Sequence, residues 1–183
     1  ETAGRLMKEG RAGAVKLEGG KLVCEQIRAI VNASIPVVAH LGMTPQSVNT
    51  LGGFKVQGKT AEAARKLLED AKAVEEAGAF ALVMECVPAK LAALVTKTLH
   101  IPTIGIGAGA GCDGQVLVYQ DMLGMFMDYQ PKFVRKFAEV GKTMQDAFVT
   151  YRNEIQAGNF PAEEHSFAIS DEVMAQLEQE AQA

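Results

Sequence analysis

Short, nearly unbroken apolar runs alternate along the chain with longer segments in which apolar residues recur every three or four positions. The runs are Ala14-Val15-Lys16-Leu17-Glu18, Ile35-Pro36-Val37-Val38-Ala39-His40-Leu41-Gly42, Phe80-Ala81-Leu82-Val83-Met84-Glu85, Ile101-Pro102-Thr103-Ile104-Gly105-Ile106-Gly107 and Val116-Leu117-Val118-Tyr119. Runs of this kind predict strands buried on both faces, as in a parallel sheet. Between them the spacing predicts helices over 2–12, over 21–33 (Val23, Ile27, Ile30 and Val31 on one face), over 60–78 and over 88–99. The third is the clearest: Thr60 can cap it, Ala64, Leu67, Leu68, Ala71 and Val74 form its stripe, and Gly78 ends it.

Strands alternating with helices imply parallel strands joined by crossover helices. A (β/α)₈ barrel needs eight strands and about 250 residues. Five strands therefore predict a short open sheet, or the last five strands of a barrel. From about residue 132 the pattern is helical. Phe133, Phe137 and Val140 line one helix closed by Gly141, and Ala147, Phe148, Tyr151 and Ile155 line another closed by Gly158. Phe160-Pro161 interrupts the chain, and Ser170 caps a final polar helix with a solvated Glu/Gln-rich end. We expect one domain over residues 1–183.

Composition narrows the function class. A chain of 183 residues with 48% hydrophobic content and a net charge of −4 is an ordinary globular composition. It shows no basic patch for nucleic acid and no apolar run long enough for a membrane span. The start, Glu1-Thr2-Ala3-Gly4-Arg5, reads as the middle of a helix, without an initiator Met or a signal-peptide pattern, so the chain is expected to begin within a larger protein. Three cysteines, Cys24, Cys86 and Cys112, have no metal-type spacing and fit a reducing compartment, hence a cytoplasmic location.

Candidate chemistry sits at the strand ends, where parallel α/β folds gather it. Glu85 closes the longest apolar run, and apolar walls would raise its pKa toward that of a general base. The alternative is a structural ion pair. Lys16 and Glu18 share one strand face. They read either as a salt bridge or as an anion anchor with a metal ligand, and Gly19-Gly20 behind them would let a ligand approach. His40 ends another strand. His100 lies at the opposite end of its strand and reads as structural. The loop from Met43 to Lys59 is longer than a simple connection requires and is a candidate functional loop. Gly105-Ile106-Gly107-Ala108-Gly109-Ala110 formally fits a dinucleotide fingerprint, but Gly111-Cys112-Asp113-Gly114 continues the loop where a helix should open.

Taken together, seven stretches resemble the ketopantoate hydroxymethyltransferase (3-methyl-2-oxobutanoate hydroxymethyltransferase) family. They are Val15-Lys16-Leu17-Glu18-Gly19-Gly20, His40-Leu41-Gly42-Met43-Thr44-Pro45-Gln46-Ser47, Gly52-Gly53-Phe54-Lys55-Val56-Gln57-Gly58, Glu85-Cys86-Val87-Pro88, Gly105-Ile106-Gly107-Ala108-Gly109, Asp113-Gly114-Gln115 and Glu163-Glu164-His165-Ser166-Phe167. The resemblance implies a (β/α)₈ TIM barrel of the phosphoenolpyruvate-utilising type, of which roughly strands 4–8 are present here. It implies transfer of a hydroxymethyl group from 5,10-methylenetetrahydrofolate to 3-methyl-2-oxobutanoate, Mg²⁺ dependence and a homodecamer. By motif, Glu85 is the proton acceptor, Lys16 contacts the keto acid, Glu18 belongs to the metal site, and His40 lies in the same mouth as a substrate-binding candidate.

Two aspartates that hold the family's metal have no counterpart here and are expected in an N-terminal part beyond this sequence. The chemistry agrees with the implied reaction. A divalent ion would stabilise the enolate as a Lewis acid, Lys16 would add positive charge, and Glu85 would remove the proton. A related Mg²⁺-dependent 2-oxo-acid lyase or mutase barrel, or a non-catalytic fragment, are the competing readings.

Overall fold

The computed structural model describes residues 1–50 and 52–181. Leu51, within the long loop, and Gln182 and Ala183, at the end of the expected polar tail, lie outside the described residues. The sheet contains β1 (Val15–Glu18), β2 (Val37–Gly42), β3 (Ala81–Glu85), β4 (Thr103–Ile106) and β5 (Gly114–Gln115). They lie side by side in sequence order, and every pairing is parallel. That order, with the first three connections crossing the same face, is the order of successive strands in a barrel wall.

Helices α2 (Cys24–Asn32), α3 (Ala61–Glu76) and α4 (Ala89–Thr98) supply those connections. The core lies between them and the sheet. Ile27 of α2, Leu67, Ala71 and Val74 of α3, and Ala92 and Val95 of α4 are buried with Val37, Ala39, Leu41, Leu82 and Met84. The strand members of that cluster all share one parity, because side chains alternate across a strand. The other parity carries Val38, Val83 and Ile104, which are only half-buried. This second face is the one a closed barrel turns inward, and it bears the candidate site.

Local signals place the helices. The Thr60 hydroxyl accepts from the Ala63 N–H at 3.1 Å, as an N-cap should. Gly78 turns the chain with φ +101° just past α3. Helix α1 (Thr2–Lys8) is shorter than the predicted 2–12 span; the chain turns away through Gly10 and a left-handed Arg11, φ +53°.

Two predicted elements are displaced. The fifth strand is Gly114–Gln115, not Val116–Tyr119, and Tyr119 instead begins the short helix α5 (Tyr119–Met122). The cause is a tertiary anchor: Asp113 Oδ2 accepts from the Thr103 N–H at 2.8 Å and from its hydroxyl at 3.1 Å. That pins the chain beside β4 just before the apolar run. Further on, α6 (Val140–Gln156) runs straight through Gly141 instead of stopping there, and 132–139 is not a helix. Gly141 is buried for another reason. A Cβ there would stand 2.7 Å from the Gly124 carbonyl oxygen and 2.9 Å from that of Met125. Its lack of a side chain serves close backbone packing. Helix α7 (Asp171–Ala181) follows Ser170, whose hydroxyl accepts from the Val173 N–H at 3.4 Å. Phe148, Tyr151 and Ile155 form the expected stripe on α6 but are exposed.

Candidate active site

The carboxyl ends of β1, β2 and β3 bring four polar side chains together. Register explains how. Glu18 pairs with His40, His40 with Val83, and Gly42 with Glu85. Because parallel neighbours in register share a face, Lys16, Glu18, His40 and Glu85 all project from the inward side. This is the face opposite the helices.

His40 stands at the centre and is only 1% exposed. Its Nδ1 lies 3.5 Å from Lys16 Nζ and 3.5 Å from Glu18 Oε1. Only the Lys16 contact has hydrogen-bond geometry, and since an ammonium can only donate, it is a hydrogen bond in the tautomer whose Nδ1 carries no proton. On the other side of the ring, Nε2 lies 3.2 Å from Glu85 Oε2. That pair is close but misaligned, and His40 Nε2 is a buried side-chain nitrogen without a hydrogen-bond partner. Among the described residues, His40 is therefore the link between the two carboxylates.

Each carboxylate is held differently. Glu18 is nearly buried, and its Oε2 accepts from the Gln46 N–H at 3.0 Å. Glu85 is anchored through its backbone: its carbonyl accepts from the Met43 N–H at 2.8 Å. Cys86, immediately after it, is held left-handed at φ +51°, and the Cys86 carbonyl accepts from the Gln57 N–H at 2.9 Å. The long loop thus ties down both carboxylate-bearing strand ends, near its start to Glu18 and near its end to Cys86. The backbone role of Gln46 left no mark in the sequence. Burial, with a smaller contribution from the Glu85 charge, pushes the Cys86 thiol up.

Several expectations change. The wall beside Glu85 is not purely apolar, because His40 is its nearest polar neighbour. Gly19 and Gly20 line a cavity with Leu41, Gly42 and Asp70, and Gly20 also has a packing role. A Cβ on Gly20 would stand 2.2 Å from Asp70 Cγ, so the missing side chain makes room for Asp70. Its carboxylate accepts from the Lys21 N–H at 3.0 Å and pairs with Lys66. No helix opens after Gly107, and the chain proceeds to β5, which removes the dinucleotide reading. His100 is exposed at the far end of β4, where its N–H donates to Glu75 Oε1 at 2.6 Å, in keeping with a structural role.

As a metal centre the cluster is incomplete. Among the described residues no group of three or more His, Cys, Asp or Glu side chains could hold an ion. Glu18 offers a hard oxygen of the kind Mg²⁺ favours, but one carboxylate is not a site. The described residues do not by themselves fit the metal.

Comparison with known proteins adds to this geometry. The sequence profile of the ketopantoate hydroxymethyltransferase family matches residues 1–163. The chain is 69% identical over 175 residues to the 3-methyl-2-oxobutanoate hydroxymethyltransferase of Clostridium novyi (strain NT), covering 96% of this chain and 64% of that protein. It is 65% identical over 175 residues to the Enterococcus faecalis protein of the same name, with the same two coverages. To the Clostridioides difficile protein of that name it is 60% identical over 177 residues, 97% of this chain and 64% of that one. The chain thus spans under two thirds of the length of these relatives.

Proposed function

The chain belongs to the ketopantoate hydroxymethyltransferase family, a family of TIM-barrel fold, and on that premise we propose that the whole protein converts 3-methyl-2-oxobutanoate to ketopantoate. The one-carbon donor is 5,10-methylenetetrahydrofolate. The observation that carries the reading is the convergence of Lys16, Glu18, His40 and Glu85 on one sheet face at the strand carboxyl ends, with His40 in contact with the other three.

The difficult step is removal of a carbon-bound proton beside a ketone. Glu85 takes it: the C3–H bond breaks, the proton passes to the carboxylate, and the electron pair moves into the enolate. Glu85 suits this role because its carboxylate is largely but not wholly shielded, with 15% of the side chain exposed. Negative charge then grows on the keto oxygen. Lys16, exposed on the same face, adds positive charge where that density collects. Water opens the methylene bridge of the folate to a hydroxymethyl group, breaking one C–N bond; the enolate carbon then bonds to that carbon as the second C–N bond breaks, and tetrahydrofolate leaves with the proton that Glu85 took. The cofactor provides the electrophile; the protein provides position and charge.

Mg²⁺ enters the proposal as a partner of Glu18, with two aspartates expected beyond residues 1–183. Of these ligands, the described residues supply Glu18 alone. A homodecameric assembly and a cytoplasmic location complete the reading; among the described residues no helix is long and apolar enough to cross a membrane.

The test is deuterium incorporation at C3 of 3-methyl-2-oxobutanoate in D₂O, followed by NMR, using the full-length protein with Mg²⁺ and no folate. Enolisation is then seen apart from transfer. Metal-dependent exchange supports the reading. A folded protein that leaves C3 protonated contradicts it.

A further inference from the structure

The ring of His40 presents an anomaly. Its Nε2 is buried and lacks a hydrogen bond, although a carboxylate oxygen stands 3.2 Å away. Buried polar groups are nearly always satisfied, and leaving one unpaired is costly. The neutral tautomer that makes a hydrogen bond on the other side of the ring is the one whose Nδ1 accepts from Lys16, and it carries its proton on Nε2, facing Glu85. Glu85 has a matching deficit. Among the described residues, its carboxylate accepts no hydrogen bond, and its one close polar neighbour is His40. A small turn of the Glu85 carboxyl group satisfies both.

We propose that His40 is a positioning residue for the general base: its Nε2–H donates to Glu85 Oε2 in the working state, holding Oε1 toward the substrate carbon. This rests on the assignment of Glu85 as the base and differs from a direct substrate-binding role for His40. The chain of contacts is Lys16 to Nδ1, then Nε2 to Glu85. Lys16 therefore sets the tautomer as well as contributing charge. A carboxylate with free rotation would spend most of its time misaimed, and misplacement near 1 Å costs on the order of 10²-fold in rate.

The test uses two substitutions in the full-length protein. The Gln amide reaches about as far as Nε2, whereas the Asn amide reaches about as far as Nδ1. His40→Asn should slow C3 exchange on the order of 10²-fold, with keto-acid affinity unchanged by calorimetry. His40→Gln should restore most of the rate. Weakened keto-acid binding in His40→Asn, or equal loss in both variants, overturns the proposal.

A second readout does not depend on turnover. Ring-nitrogen NMR of ¹⁵N-histidine-labelled protein should find His40 as the Nε2–H tautomer, with its Nε2 resonance moved by Glu85→Gln. An Nδ1–H tautomer overturns the positioning role, even in a protein that performs no exchange. Absence of exchange in the unaltered protein instead counts against the proposed reaction.

Discussion

Gly42 is the position where a single methyl group should do most harm to the site. It pairs with Glu85 across β2 and β3 and adopts φ +94°. A Cβ there would stand 2.1 Å from the Glu85 carbonyl oxygen and 2.8 Å from Val87 Cγ2. Two costs follow for Gly42→Ala. The left-handed backbone costs about 1–2 kcal/mol for a residue with a side chain. Displacing a strand backbone from a packed contact adds about 1–3 kcal/mol. The sum is about 2–5 kcal/mol, a large share of the roughly 5–15 kcal/mol that holds a domain folded. Gly158 is the control: φ is +74°, but nothing lies within 4 Å of its would-be Cβ. Gly158→Ala should lose only the backbone part, about 1–2 kcal/mol. Urea unfolding of the two variants, at matched protein concentration, separates the contact from the conformation. Equal losses would refute the contact argument. Since the clash falls on the carbonyl of Glu85, Gly42→Ala should also slow C3 exchange more than Gly158→Ala does.

The other perturbations are simpler. Glu18→Ala should raise the Mg²⁺ concentration needed for half-maximal exchange, and an unchanged requirement would remove Glu18 from the metal site. Thr60→Ala removes the hydroxyl that accepts from the Ala63 N–H and should cost about 1 kcal/mol in urea unfolding; a loss within error would mean that the cap is idle. Cys86 should alkylate slowly with iodoacetamide at pH 8, because burial and the neighbouring Glu85 hold its thiol above the ordinary range and keep it protonated. Glu85→Gln removes one of those causes and should hasten the reaction; no change would mean that burial alone sets the rate.

Much of the sheet was legible because its strands carry apolar residues on both faces: helices bury one, and Val38, Val83 and Ile104 keep the other apolar, so each reads as a run. The ends of β1, β2 and β3 fell where Glu18, His40–Gly42 and Glu85 suggested, which is why the four polar residues could be picked out before they were seen together. The fifth strand was misplaced because Val116-Leu117-Val118-Tyr119 looks more strand-like than Gly114-Gln115. The ladder is set instead by Asp113 holding Thr103, a contact between residues ten apart that local pattern does not encode. Gly141 misled for a related reason. A glycine inside a helix resembles a stop until the carbonyls packed against it are known. Gly20 resembled part of a ligand cradle, and its packing against Asp70 could not be read beforehand. Within the site, residue types announced themselves, but the central place of His40 did not. It depends on β2 lying between β1 and β3, and strand order is a property of the sheet rather than of any one stretch.

The most direct measurement of the central claim compares the full-length protein with its Glu85→Gln variant, with Mg²⁺ present and folate omitted. C3 deuterium exchange is followed by NMR, and keto-acid binding by calorimetry. A general base at Glu85 predicts that the variant binds 3-methyl-2-oxobutanoate nearly as well as before while exchange falls to background. Exchange that persists at the original rate, with binding weakened, would make Glu85 a substrate ligand and leave the base to be found elsewhere.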